Sequence, residues 1–140
     1  MRVAVVVCML AGCAYKHLDA AAPGQRVTVG CLDLAIARRA DTPDGAVLEY
    51  RFGNHCDHAS PIALPTTARG RTLGGQERTL VAYDPQHEIV PLQIDARTSG
   101  TETIEYRSDD DYGLGQVCID VASIVRQTPA SWICVGEPTP

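Results

Sequence analysis

Leu48-Glu49-Tyr50-Arg51-Phe52 is the stretch on which the fold turns. Its apolar side chains fall at every second position with Glu49 and Arg51 between them, the period of a strand that buries one face. The same period recurs on both sides. Upstream, Arg26 to Arg39 reads as a strand in which Val27 and Val29 alternate with Thr28, after which the apolar positions slip by one to Leu32, Leu34 and Ile36. That slip predicts a bulge or bend at Gly30-Cys31. Asp41-Thr42-Pro43-Asp44-Gly45 predicts the turn that folds Arg26 to Arg39 and Ala46 to Phe52 into a hairpin.

Downstream, Ile62 and Leu64 form a short strand ended by Pro65, and Leu80, Val81 and Tyr83 precede the turn signal Asp84-Pro85. Leu92, Ile94 and Ala96 alternate with Gln93, Asp95 and Arg97. Ser99-Gly100 is then expected to turn the chain into Glu102, Ile104 and Tyr106. Val117, Ile119 and Val121 follow, and Trp132 to Val135 closes the set, with room for one helical turn over Ala122 to Gln127 before Pro129. No apolar stripe at helical spacing is sustained over three turns. Seven or eight short antiparallel strands punctuated by Gly and Pro predict an all-β domain, a two-sheet sandwich, with a small closed barrel as the alternative.

The chain has 140 residues, 45% of them hydrophobic and 21% charged, which suits one domain with an ordinary core. A net charge of -5 speaks against nucleic acid as a partner, since such binders carry a basic face. No run of 18 apolar residues is present to cross a bilayer as a helix.

At the start, Met1-Arg2 supplies a positive charge, Val3 to Leu10 is apolar, and Leu10-Ala11-Gly12-Cys13 follows. This is the plan of an export signal. Leu10-Ala11-Gly12-Cys13 resembles the bacterial lipobox at each position, so the N-terminus is similar to a lipoprotein signal peptide. The resemblance implies thioether lipidation of Cys13, cleavage before it, and acylation of the new amino group. Ala14, where many enteric-type lipoproteins retained at the inner membrane carry Asp, implies the outer membrane, with the domain facing the periplasm or the surface. Residues 1–12 are then the signal, 13–25 a lipidated tether and 26–137 the β-domain. Twelve tether residues from Ala14 to Gln25 reach at most about 40 Å, which would keep the domain near the membrane.

With Cys8 removed and Cys13 lipidated, Cys31, Cys56, Cys118 and Cys134 remain of the six cysteines. In an exported domain an even set reads as disulfides, and these permit three pairings. Folding the first hairpin about its middle sets Cys31 opposite Asn54 to Cys56, and the same reflection sets Cys118 opposite Cys134, so nearest-neighbour pairing ranks first. Cys118 and Cys134 alternate with Val117, Ile119, Ile133 and Val135. If those face the core, that bridge lies outside it, near Trp132.

Leu48 to Asn54, with the strand that follows Asp57 and the hairpin from Leu92 to Tyr106, resembles small immunoglobulin-like domains of bacterial envelope proteins. The resemblance implies a fold and no activity.

Chemistry is sparse. His55, Asp57 and His58 could bind Zn or Cu if a loop curled them together, but H-x-x-H on a strand edge points its histidines to opposite faces. His87-Glu88 lacks the second histidine of H-E-x-x-H. Asp109-Asp110-Asp111 departs from an EF-hand, which would need Gly at Leu114 and Glu at Asp120. No G-x-S-x-G is present, and Ser60, Ser99, Ser108, Ser123 and Ser131 lie in turns or connections. Arg38-Arg39 and a loop from Arg69-Gly70-Arg71 to Gly74-Gly75 are modestly basic, suited to lipid headgroups or an acidic partner. The expectation is a non-catalytic, cofactor-free envelope lipoprotein that binds another envelope component through loops or a sheet edge. A metal module at His55 and His58, or an inhibitor or chaperone-like accessory presenting the loop from Arg69 to Gly75, are the competing readings.

Overall fold

A computed structural model describes residues 25–83, 92–111 and 113–136. The expected signal, most of the expected tether, Cys8, Cys13, Asp84-Pro85 and His87-Glu88 lie outside these residues. The described chain is all-β. Strands β1 (Gln25–Val29), β2 (Leu32–Thr42), β3 (Gly45–Asn54), β5 (Thr67–Thr72), β6 (Glu77–Tyr83), β8 (Ser99–Arg107), β9 (Leu114–Asp120) and β10 (Trp132–Val135) form one antiparallel sheet. Its order is β1-β2-β3-β8-β6-β5-β9-β10. The sheet curls until β10 returns beside β1 and β2, which makes it nearly a barrel. A second sheet of β4 (Ser60–Ile62) and β7 (Leu92–Ile94) lies apart from it, its Ile62 and Ile94 buried in the common core. One short helix, α1 (Val121–Ile124), follows β9, capped by Asp120, which accepts from the Ala122 N–H at 3.1 Å.

The central hairpin forms as its alternation requires. Leu48, Tyr50 and Phe52 of β3 are fully buried and register against Arg38, Ile36 and Leu34 of β2. Three local expectations are corrected. Residues 26–39 are not one bulged strand: β1 folds back on β2 through Gly30-Cys31. Gly30 holds φ at +59°, a conformation that costs glycine little and suits a tight hairpin turn. The apolar slip therefore marks a change of strand. The bulge of β2 comes later, between Arg38 and Ala40. Ser99-Gly100 is not a turn either; it opens β8, with Gly100 opposite Phe52, and the reversal falls at Asp95 to Thr98.

The third correction concerns β5. Arg69 to Thr72, the first part of the loop expected from Arg69 to Gly75, belong to this strand. It sits mid-sheet between β6 and β9, with Ala68, Gly70 and Thr72 turned inward. Small residues are what the space admits: a Cβ on Gly70 would lie 2.9 Å from Leu114 Cδ2 and 3.3 Å from Leu80 Cδ1. Large neighbours on β6 and β9 fill the core that β5 leaves open.

Inside the barrel, Tyr106 donates its hydroxyl hydrogen to the Pro65 carbonyl at 2.7 Å and meets the Tyr50 hydroxyl at 2.7 Å. With the Tyr106 hydrogen committed, Tyr50 must be the donor between them. Burial pushes both phenols well above their ordinary range, so they stay neutral. Tyr106→Phe strands both the Pro65 carbonyl and the Tyr50 hydroxyl, each costing about 1–3 kcal/mol, whereas Tyr50→Phe leaves the bond to Pro65 intact. Urea midpoints should therefore fall further for the change at 106 than at 50. The neutral pair contributes stability that is complete below about pH 10, the ordinary tyrosine value, and lost as pH rises through the raised folded values.

Candidate functional site

The nearest-neighbour pairing of cysteines is the one observed. Cys31 bridges Cys56 with Cα atoms 5.4 Å apart, and Cys118 bridges Cys134 with Cα atoms 4.0 Å apart. Val117, Ile119 and Val135 are buried, so Cys118 and Cys134 project from the outer face of the sheet. Both line a groove there together with Trp132.

The histidine cluster is not brought together. His55 Nε2 lies 2.8 Å from Asp33 Oδ2 on β2, and Asp33 in turn accepts from the Thr28 hydroxyl at 2.9 Å. His58 stands exposed beside Asp57, Nδ1 to Oδ1 3.1 Å. Among the described residues no group of three His, Cys, Asp or Glu is placed to hold a metal ion. The turn between them is organised by buried Asn54, whose amide donates to the carbonyls of His58, Ile94 and Asp95 and whose oxygen accepts from Cys56 N–H. Thr28 donates to a carboxylate and not to an imidazole, so the string Thr28–Asp33–His55 orients a turn and activates no nucleophile.

Of the acidic run, Asp110 lies 3.8 Å from Arg78 Nε, while Asp120 is spent on capping α1 and on the Ser131 N–H at 2.9 Å. Arg38 and Arg39 are not a surface basic pair. Arg38 is 1% exposed, and Arg39 pairs with Glu49 at 2.8 Å. Nor do Arg69 and Arg71 lie on a loop: the hairpin tip is confined to 73–76, where Leu73 is 80% exposed.

What β5 does with its arginines is the feature that sequence reading missed. Alternation turns Arg69 and Arg71 outward onto the face that carries Trp132 and the Cys118–Cys134 bridge. Arg69, Arg71, Glu77, Gln116 and Trp132 line an open groove of about 260 Å³. Trp132 also borders a second groove of about 400 Å³, formed with Ala63 to Thr67, Asp120 and Ser123. The Arg69 guanidinium carbon lies 4.0 Å from the centroid of the Trp132 ring. Stacking uses the flat face of a guanidinium and leaves its N–H edge open. Trp132 itself is 42% exposed. The signal in the sequence was Trp132 two places before Cys134, and two arginines two places apart, readable only once 67–72 is known to be a strand.

Comparison of the chain with known protein families, with curated proteins and with solved structures finds no match.

Proposed function

We propose that this chain is a non-catalytic cell-envelope lipoprotein, held to the membrane through Cys13 and binding another envelope component with its β-domain. The observation that carries the reading is the pairing of Cys31 with Cys56 and Cys118 with Cys134. Disulfides persist in exported domains and are rare where thiols are kept reduced. They account for every cysteine of the β-domain and leave Cys13, at the end of Leu10-Ala11-Gly12-Cys13, for a different fate. Several acyl chains on one residue contribute on the order of 0.8 kcal/mol per buried methylene, enough for lasting attachment. A binding role is supported by the outward aromatic and guanidinium groups, residue types that dominate protein interfaces.

The test is partition. The native chain should sediment with membranes, and Cys13→Ser should move into the soluble fraction with its disulfides unchanged. A Cys13→Ser protein that stays with the membrane and remains cross-linked would contradict the anchor.

A further inference from the structure

The outer face of the sheet carries two arginine–aromatic stacks, and the difference between them is informative. On one, the Arg107 guanidinium lies 3.5 Å from the centroid of the Tyr83 ring. Its edge is occupied: Nε meets Glu105 Oε1 at 2.7 Å and approaches Asp44 Oδ2 at 3.9 Å. The complete unit is thus ring, guanidinium and carboxylate.

On the other, Arg69 stacks on Trp132 and the carboxylate is missing. The neighbours of Arg69 in the sheet are Thr79 on β6 and Cys118 on β9, neither of which is acidic. Arg71, on the same face, registers with Glu77 and Gln116, yet no ion pair with Glu77 forms. Neither Arg69 nor Arg71 makes an ion pair among the described residues. In a chain of net charge -5, two outward guanidiniums beside an exposed tryptophan, with Glu77 the acidic residue among the groove's lining, form a local site of opposite sign.

We propose that the Trp132–Arg69–Arg71 groove binds an extended acidic segment of a partner protein, a carboxylate completing the Arg69 edge and an adjacent apolar side chain resting against Trp132. This deepens the binding reading above and is independent of the anchor. Two arginines two residues apart on one face suit forked contacts to carboxylates. The open grooves on either side of Trp132 suit an extended chain more than a small molecule, which a pocket would enclose. A flat anionic membrane is disfavoured, because it would bring Glu77, Asp120 and Glu105 against its headgroups together with the arginines.

Trp132 is the chain's single tryptophan, so its fluorescence reports on the groove directly. The full chain in neutral detergent is titrated with a short capped peptide alternating Glu and Leu, with the same peptide carrying Gln for Glu, and with phosphatidylglycerol dissolved in the same micelles. The acidic peptide should shift Trp132 emission saturably, and the Gln peptide should bind at least tenfold more weakly. Arg69→Gln and Arg71→Gln, both surface changes checked for unaltered circular dichroism, should each weaken the acidic peptide roughly tenfold, about 1.4 kcal/mol. Arg107→Gln, whose guanidinium is already engaged by Glu105, should leave it unchanged. Equal response to both peptides, no response to either, or a response to phosphatidylglycerol and not to peptide would each overturn the proposal. Such a failure beside normal membrane partition of the native chain would leave the anchor standing.

Discussion

Reduction of both disulfides should unfold the β-domain at room temperature. Cys31 and Cys56 are 25 residues apart in sequence, and Cys118 and Cys134 are 16 apart. Closing loops of these lengths restricts the unfolded chain by about 3 kcal/mol per bridge. A small domain is stable by about 5–15 kcal/mol in total, so at the lower end of that range losing roughly 6 leaves nothing. Each bridge removed singly as a Cys→Ala pair should cost about 3 kcal/mol in urea unfolding followed by Trp132 fluorescence. A reduced protein with the urea midpoint of the oxidised one would show that the bridges are incidental. The dependence bears on function, because a domain that needs its bridges is confined to compartments that maintain them.

Arg38→Met should be the most damaging single substitution, at about 3–5 kcal/mol, because it takes the donors from three backbone carbonyls at once. Both disulfides join elements that are already neighbours, so neither crosses the seam where β10 comes back beside β2. Arg38 does. From β2 its Nη2 donates to Leu114 O at 2.8 Å and its Nη1 to Gly136 O at 2.7 Å and Gly115 O at 3.3 Å. Its Nε donates to Asp41 Oδ1 at 2.7 Å, which supplies the balancing charge. Methionine fills the volume and leaves these carbonyls without donors. Arg38→Lys should recover only part of the loss, since an ammonium cannot reach acceptors on β9 and past β10 at once. Thermal unfolding of the two variants beside the parent decides it. A loss below about 1 kcal/mol for Arg38→Met would mean that the sheet closes by packing alone.

The sequence made the all-β class legible because β3, β8 and β9 bury large residues at strict alternation, and period two admits few other readings. Cysteine pairing was legible for a related reason: a hairpin reflection carries Cys31 to Cys56 and Cys118 to Cys134 when the turns are correctly placed. What hid were elements defined by their neighbours. β5 is buried through Ala68, Gly70 and Thr72, whose smallness makes sense only against Leu80 and Leu114. The same blindness turned Arg69 and Arg71 into loop residues and concealed their approach to Trp132. Arg38 was misread in the opposite direction, as surface charge, because an arginine's partners here are backbone carbonyls some 76 to 98 residues away in sequence. Periodicity reports which face is apolar and says nothing of what a distant strand brings to it.

The most direct measurement is the intact mass of the protein isolated from its own membranes. It should correspond to a chain beginning at Cys13, increased by a diacylglyceryl thioether and an N-linked acyl group and reduced by the hydrogens of two disulfides. A chain that retains Met1, carries no lipid and reacts at four further thiols would contradict export, anchor and cross-links together.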